Sequence, residues 1–251
     1  MNLRDLHVHT IFSDGRNSPE EMVREAIARG METIGFSDHS YTAFDESWCM
    51  KQEDIPVYRA CIGALKERYR DRINVLCGIE QDFYSEEPTE CYDYVIGSVH
   101  YIRAGEDYIP VDESPEILLS AAEKHFGGDL YALIEEYYRT VARVVQKTGA
   151  DIIGHFDLIT KFNEGGALFD EAEPRYIAAS RAAADVLLKT GKPFEINTGA
   201  ISRGYRTAPY PSLVLRDYIR HKGGSFILSS DSHAKESLCF QFAALESESK
   251  R

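Results

Sequence analysis

The sequence has no C-x-x-C pair, no basic excess, and no apolar run near the ~18 residues that a bilayer-spanning helix needs. Each absence closes a class of function. The five cysteines (Cys49, Cys61, Cys77, Cys91 and Cys239) are odd in number and scattered, so neither a disulfide framework nor a thiolate zinc site is indicated. Reduced, mostly buried thiols are expected. The opening MNLRDLHVHT lacks a basic region followed by an apolar stretch, so the reading is a soluble, cytoplasmic protein without a membrane association. With 28 Lys plus Arg against 41 Asp plus Glu, the net charge of −13 repels nucleic acid and anionic membranes at long range. No nucleic-acid partner is expected.

Low-complexity linkers, charge blocks and internal repeats are also missing. What is present is core material: 43% hydrophobic residues, with 15 Tyr and 12 Phe, in a chain of 251. That length suits one large domain or two small ones, and the absence of a linker favours a single domain over residues 1–251.

Short apolar runs alternate with segments of helical period, the signature of repeated βα units. Seven strands are predicted: Leu3–Val8, Thr33–Ser37, Asn74–Glu80, Tyr94–Val99, Asp151–His155, Pro193–Asn197 and Ser225–Ser229. Ser18 and Pro19 announce a helix start, with Glu20 and Glu21 in its first turn and Gly30 past its end. Gly149, Gly191 and Gly223 repeat that stop after helices near Asp129–Lys147, Glu173–Lys189 and Ser212–Lys222. Two segments depart from the rhythm: a long loop from Asp38 to Ile55, and a hairpin-like excursion over Tyr101–Val111 with Gly105 at its middle.

The histidines carry the chemistry. Six of eight (His7, His9, His39, His100, His155 and His233) fall at or just past the C-terminal ends of predicted strands, while His125 and His221 fall within helices. In a parallel barrel those strand ends converge on one face. Asp14, Glu80, Glu195 and Asp231 share the location. One strand-end histidine is ordinarily a hydrogen-bonded structural residue, and His-x-His or Asp-x-His alone is ambiguous. Their joint occurrence, with carboxylates interleaved and no thiolate, points to a multinuclear centre for Zn, Mn or Fe.

With these residues in hand, the chain resembles the PHP (polymerase and histidinol phosphatase) superfamily, and within it the monofunctional histidinol-phosphate phosphatases. The motifs are DLHVHTIFSDG, GFSDHS, LCGIEQDF, YVIGSVHY, DIIGHFDLITKF, FEINTGA and LSSDSH, running from Asp5 to His233. The resemblance implies a distorted (β/α)7 TIM-like barrel holding two or three divalent ions. It implies nine ligands: His7, His9, Asp14, His39, Glu80, His100, His155, Asp231 and His233. It groups His7, His9, Glu80 and Asp231 around one ion, Glu80, His100 and His155 around a second, and Asp14, His39 and His233 around a third. Glu80 would bridge the first two, and Glu80, Asp231 and His233 would stand nearest the chemistry.

The activity implied is hydrolysis of L-histidinol phosphate, in histidine biosynthesis, by attack of a hydroxide shared between two cations. Lys161, Arg203 and Arg206 are the loop cations expected to grip the phosphate of a small phosphomonoester. Glu195 is a candidate for the substrate's ammonium or imidazole, with a buried hydrogen-bonding role as the alternative, and Asp38 for orienting a ligand. Other readings are a phosphoesterase acting on nucleotides or another small ester, a non-catalytic metal-binding regulatory domain, and an amidohydrolase. After His233 only 18 residues follow, so a truncated terminus or a last seam covered differently, by another subunit for example, is expected. The oligomeric state is left open.

Overall fold

A computed structural model of the chain describes residues 3–249. In chain order the elements are β1 (Arg4–Asp5), α1 (Pro19–Ala28), β2 (Thr33–Phe36), α2 (Ile55–Tyr69), β3 (Asn74–Asp82), β4 (Tyr94–Ser98), β5 (Tyr101–Ala104), β6 (Asp107–Pro110), α3 (Pro115–Phe126), α4 (Leu130–Val141) and α5 (Val144–Thr148). Then come β7 (Ile152–Ile153), α6 (Pro174–Leu188), β8 (Phe194–Asn197), α7 (Gly199–Ser202), α8 (Leu213–His221), β9 (Phe226–Ser229) and α9 (Phe242–Ser249). Seven strands form one parallel sheet in the order β1-β2-β3-β4-β7-β8-β9, and β5 pairs antiparallel with β6 in a separate hairpin. A parallel bridge between Val8 and Ser232 closes the sheet, with the His9 N–H 2.9 Å from the Ser232 carbonyl and the Ser232 N–H 3.0 Å from that of His7. The fold is the distorted seven-stranded barrel.

All seven predicted strands are present, but β1 and β7 are only two residues long. Past Asp5 the chain leaves the β2 ladder to bridge at Val8 with Ser232. Past Ile153, the His155 N–H turns to the Glu195 carboxylate. Local signals hold at the helix ends. Ser18 and Glu21 form a capping box on α1, and Gly30, Gly149, Gly191 and Gly223 take left-handed φ values of 71°, 70°, 68° and 85°. The helix expected over Asp129–Lys147 is interrupted between α4 and α5, where the Arg143 N–H bonds to the Thr140 carbonyl, three residues back, at 3.0 Å. Only one cysteine, Cys49, is buried; Cys61, Cys77 and Cys239 are half-buried and Cys91 is exposed, so the thiols are less buried than expected.

Side chains alternate across a strand, so Leu76, Gly78 and Glu80 share one face of β3, and Tyr94, Ile96 and Ser98 one face of β4. That face is the barrel interior. Tyr94, Ile96 and Ile152 pack there with Leu6, Leu76 and Ile227, toward the strands' N-terminal ends. The Tyr94 ring is admitted by glycines: a Cβ on Gly78 would lie 2.3 Å from its ring and one on Gly35 2.4 Å from its hydroxyl oxygen. The Tyr94 hydroxyl, 2.5 Å from the Leu6 carbonyl and 3.1 Å from that of Phe36, ties β4 to the chain around β1 and β2. The opposite face of the strands (Val75, Ile79, Val95; Ile153, Phe194, Ile196) packs on the helices in two larger apolar clusters.

The chain's own C-terminal segment covers the last seam. Phe242 and Leu245 of α9 are buried, and Glu248 lies 2.7 Å from Arg216 of α8. The Cys239 N–H donates to Asp5 (2.9 Å), and Arg29 donates to the carbonyls of Leu238 (2.6 Å) and Glu236 (3.0 Å). Of the alternatives drawn from the short tail, the seam is covered by the chain's own last helix. No helix among the described residues is long and apolar enough to cross a membrane.

Candidate metal centre

The C-terminal strand ends bring all nine predicted ligands together. Glu80, 1% exposed on β3, is at the middle. Its Oε2 lies 3.2 Å from His7 Nε2, 3.6 Å from His9 Nε2 and 2.7 Å from His39 Nδ1. Its Oε1 lies 2.8 Å from His155 Nε2 and 3.5 Å from His100 Nε2. Asp231, held at a left-handed φ of 50°, brings Oδ1 to 3.2 Å from His9 Nε2 and 3.8 Å from His7 Nε2. Asp14, in the loop after β1, reaches His233 Nε2 at 3.1 Å and His39 Nε2 at 3.6 Å.

Three sets of donor atoms lie within 4.8 Å of one another: His9, Asp14, His39 and His233; His7, His9 and Glu80; and His39, Glu80 and His100. These overlap the expected grouping but put His9 with the Asp14 set and His39 with Glu80 and His100.

The donors fit a cation. His7 Nε2, both nitrogens of His9, His39 Nδ1 and Glu80 Oε2 are buried without a hydrogen-bond partner among the described residues. Stranding that many polar atoms costs several kcal/mol unless something satisfies them. Burial pulls the His7 imidazole down, yet Glu195, Glu80 and Asp231 together hold it well above its ordinary value. Burial and the neighbouring His233 and His39 hold His9 well below. Burial raises the Glu80 carboxyl, but His7, His39 and His100 more than offset this and keep it ionised.

Further residues fix the donors. His7 Nδ1–H donates to Glu195 Oε1 at 2.6 Å, and Glu195 Oε2 accepts from the His155 N–H (3.0 Å) and Asn197 (3.1 Å). Asp82 lies 3.2 Å from His100 Nδ1, and the Ser98 hydroxyl donates to Glu80 Oε1 at 2.6 Å. The sequence reading missed Asp82 and Ser98, although strand period already put them on the faces of Glu80 and His100. Asp38 orients no imidazole. It accepts from the Thr10 N–H and the Ser13 hydroxyl, both at 2.7 Å, and so holds the loop that carries Asp14.

Of the four residues expected to touch substrate, Lys161 and Arg203 line the cleft over the cluster. Lys161 is paired with Asp112 (3.1 Å), and Arg203 donates to Asp231 Oδ2 (3.0 Å) and lies 2.7 Å from His233 Nδ1. The other two are not among the lining residues. Glu195 is fully buried behind His7, and Arg206, half-buried, donates to the Thr160 carbonyl at 2.9 Å. His125 and His221 lie on α3 and α8, as expected, with His125 facing Asp107 at 3.0 Å.

Comparison with known proteins agrees with this arrangement. The PHP domain model matches residues 5–199. A Deinococcus radiodurans protein named "Probable histidinol-phosphatase" is 32% identical over 253 residues, covering 96% of this chain and 90% of that one. A Listeria monocytogenes structure shares the fold with a TM-score of 0.81 at 19% identity, covering 96% of this chain and 99% of that one. The Lactococcus lactis histidinol phosphate phosphatase, solved with zinc, L-histidinol and phosphate, has a TM-score of 0.67 at 23% identity, covering 98% and 94%. A parallel barrel of seven strands and a family match over most of its length lead to one conclusion: the chain belongs to the PHP domain family.

Proposed function

We propose that the chain is a metal-dependent phosphomonoesterase that hydrolyses L-histidinol phosphate to L-histidinol and inorganic phosphate. The observation that carries the reading is Glu80, whose two buried oxygens each face separate imidazoles, Oε2 toward His7, His9 and His39 and Oε1 toward His100 and His155. The name of the Deinococcus relative and the ligands of the Lactococcus structure supply the substrate. Ligands from His7 to His233 serving one centre also support a single domain.

His7, His9, Glu80 and Asp231 would hold one ion, Glu80, His100 and His155 a second, and Asp14, His39 and His233 a third, as zinc, manganese or iron. Bound there, divalent ions supply a water acidic enough to attack at neutral pH and positive charge for the phosphoryl oxygens. The chain's own part is preorganisation. Glu195 keeps the proton of His7 on Nδ1, which leaves Nε2 free to ligate. Asp82 does the same for His100. Arg203, anchored on Asp231, brings a fixed positive charge to the phosphate end of the cleft, and Lys161 a second. The P–O bond to the alcohol is exchanged for one to a water oxygen, and the alcohol leaves protonated.

The test is phosphate release from L-histidinol phosphate beside nucleoside monophosphates and 4-nitrophenyl phosphate. Preference for the first by at least tenfold in kcat/KM is expected, since polar recognition of the correct group separates substrates by that much or more. Comparable low turnover on all would defeat the substrate assignment. Glu80→Ala should lose metal, and unchanged metal content and activity would defeat the bridging role.

A further inference from the structure

The cleft above the imidazoles encloses about 390 Å³, room for a small ester and not for a macromolecule. Five carboxylates line it, and four are engaged. Asp14 faces His233 (3.1 Å), Asp231 accepts from Arg203 (3.0 Å), Asp112 from Lys161 (3.1 Å), and Asp45 from the Tyr101 hydroxyl (2.6 Å). The fifth, Glu113, is exposed at the rim just before α3 and makes no hydrogen bond or ion pair among the described residues. Both cations of the cleft, Lys161 and Arg203, are already paired with carboxylates.

Beside this rim stands an aromatic wall held by hydrogen bonds. The Trp48 indole N–H donates to the Tyr101 hydroxyl at 2.6 Å, that hydroxyl donates to Asp45, and the two rings stack at 6.0 Å and 28°. Trp48 also meets His39 edge-on at 4.5 Å, so the wall is continuous with the metal cluster. A cation beside an aromatic surface and an uncommitted carboxylate gains both cation–π and charge-assisted contacts, while an anion there is repelled by the carboxylate.

We propose that Glu113, with the Trp48–Tyr101 wall, is the subsite that selects phosphate esters of cationic alcohols, receiving the alcohol's ammonium or protonated heterocycle while the phosphate points inward. This rests on the phosphomonoesterase reading above and adds the residues that choose the leaving group. Lys161 cannot neutralise the subsite, because Asp112 already holds it.

The experiment compares kcat/KM for L-histidinol phosphate and for 4-nitrophenyl phosphate in the wild-type holoenzyme, Glu113→Gln and Glu113→Asp. Glu113→Gln should lower the ratio of the two about tenfold or more, the loss appearing in KM for L-histidinol phosphate, with part of it recovered in Glu113→Asp. A wild-type ratio retained in Glu113→Gln overturns the subsite and leaves the enzymatic reading standing. No preference for L-histidinol phosphate in the wild type overturns the substrate assignment instead. A loss confined to kcat, or equal on both esters, also counts against the subsite.

Discussion

His7 and Glu195, 188 positions apart in sequence, are joined by a 2.6 Å hydrogen bond between two fully buried side chains. The bond does more than fasten the segment after β1 to β8. It decides which imidazole nitrogen carries the proton. In Glu195→Gln the negative charge is lost, and one end of the amide must meet donors at His155 or His7. Metal affinity or activity should fall about 10- to 100-fold with the fold intact. Metal content by mass spectrometry, with circular dichroism for the fold, checks this; wild-type occupancy and turnover would remove Glu195 from the site's support.

The same pair makes metal uptake sensitive to acid. Burial opposes charge on His7, but Glu195, Glu80 and Asp231 hold its proton to well above the ordinary histidine range. A cation must displace that proton, so affinity should weaken as pH falls, by about tenfold per pH unit for each proton released. Calorimetric titration of the metal-free protein in buffers of different ionisation heat counts those protons. A count of zero would contradict the assignment.

Gly199 follows β8 where nothing larger fits. A Cβ there would lie 2.6 Å from Asp231 Oδ2 and 2.9 Å from Arg203 Nη2. Gly199→Ala should displace both and cost about 1–3 kcal/mol in overpacking, with activity falling about 100-fold. Gly63, in α2 with open space around it, is the control, and Gly63→Ala should stabilise by about 0.5–1 kcal/mol. Equal activity in the two variants would argue against a crowded site at Gly199.

Asp157 is buried with only the Ser212 N–H, at 2.8 Å, on Oδ2, and Oδ1 has no partner among the described residues. Burial raises its carboxyl from 3.8 to about 6, against the opposing pull of Arg206. Between those values the native chain binds more protons than the unfolded one, so stability falls as pH rises from about 4 to 6 and the penalty persists above. At ~1.4 kcal/mol per unit it reaches about 3 kcal/mol. Asp157→Asn should therefore remove this slope and raise stability at pH 8 by about 1–3 kcal/mol. Denaturant midpoints at pH 4 and 8 measure it, and a variant destabilised at both would reverse the argument.

The sequence announced the barrel well because its signals are local. Ser18, Gly30 and Gly149 bound helices through their own backbones and neighbours, and a histidine at a strand end needs only the strand's position to be located. The α4–α5 break was illegible, since Ala142 and Arg143 are good helix formers and nothing nearby contradicts them. Glu195 and Arg206 were read toward the substrate because strand and loop position say which end of the barrel a residue occupies, not how deep. His7 claims the first and Thr160 the second. The Tyr94 ring lying against Gly35 and Gly78 is a three-strand coincidence that no one-dimensional pattern carries.

That ring has a kinetic consequence. With Tyr94, Ile96 and Ile152 filling the barrel behind the histidines, traffic is confined to the cleft at the strand C-termini. Whatever goes in first comes out last. A phosphate turned toward the imidazoles is trapped behind its own alcohol, so the alcohol departs before it and free phosphate competes with the next substrate molecule. Competitive inhibition by phosphate and noncompetitive inhibition by the alcohol would be the signature of a reaction chamber with a single door.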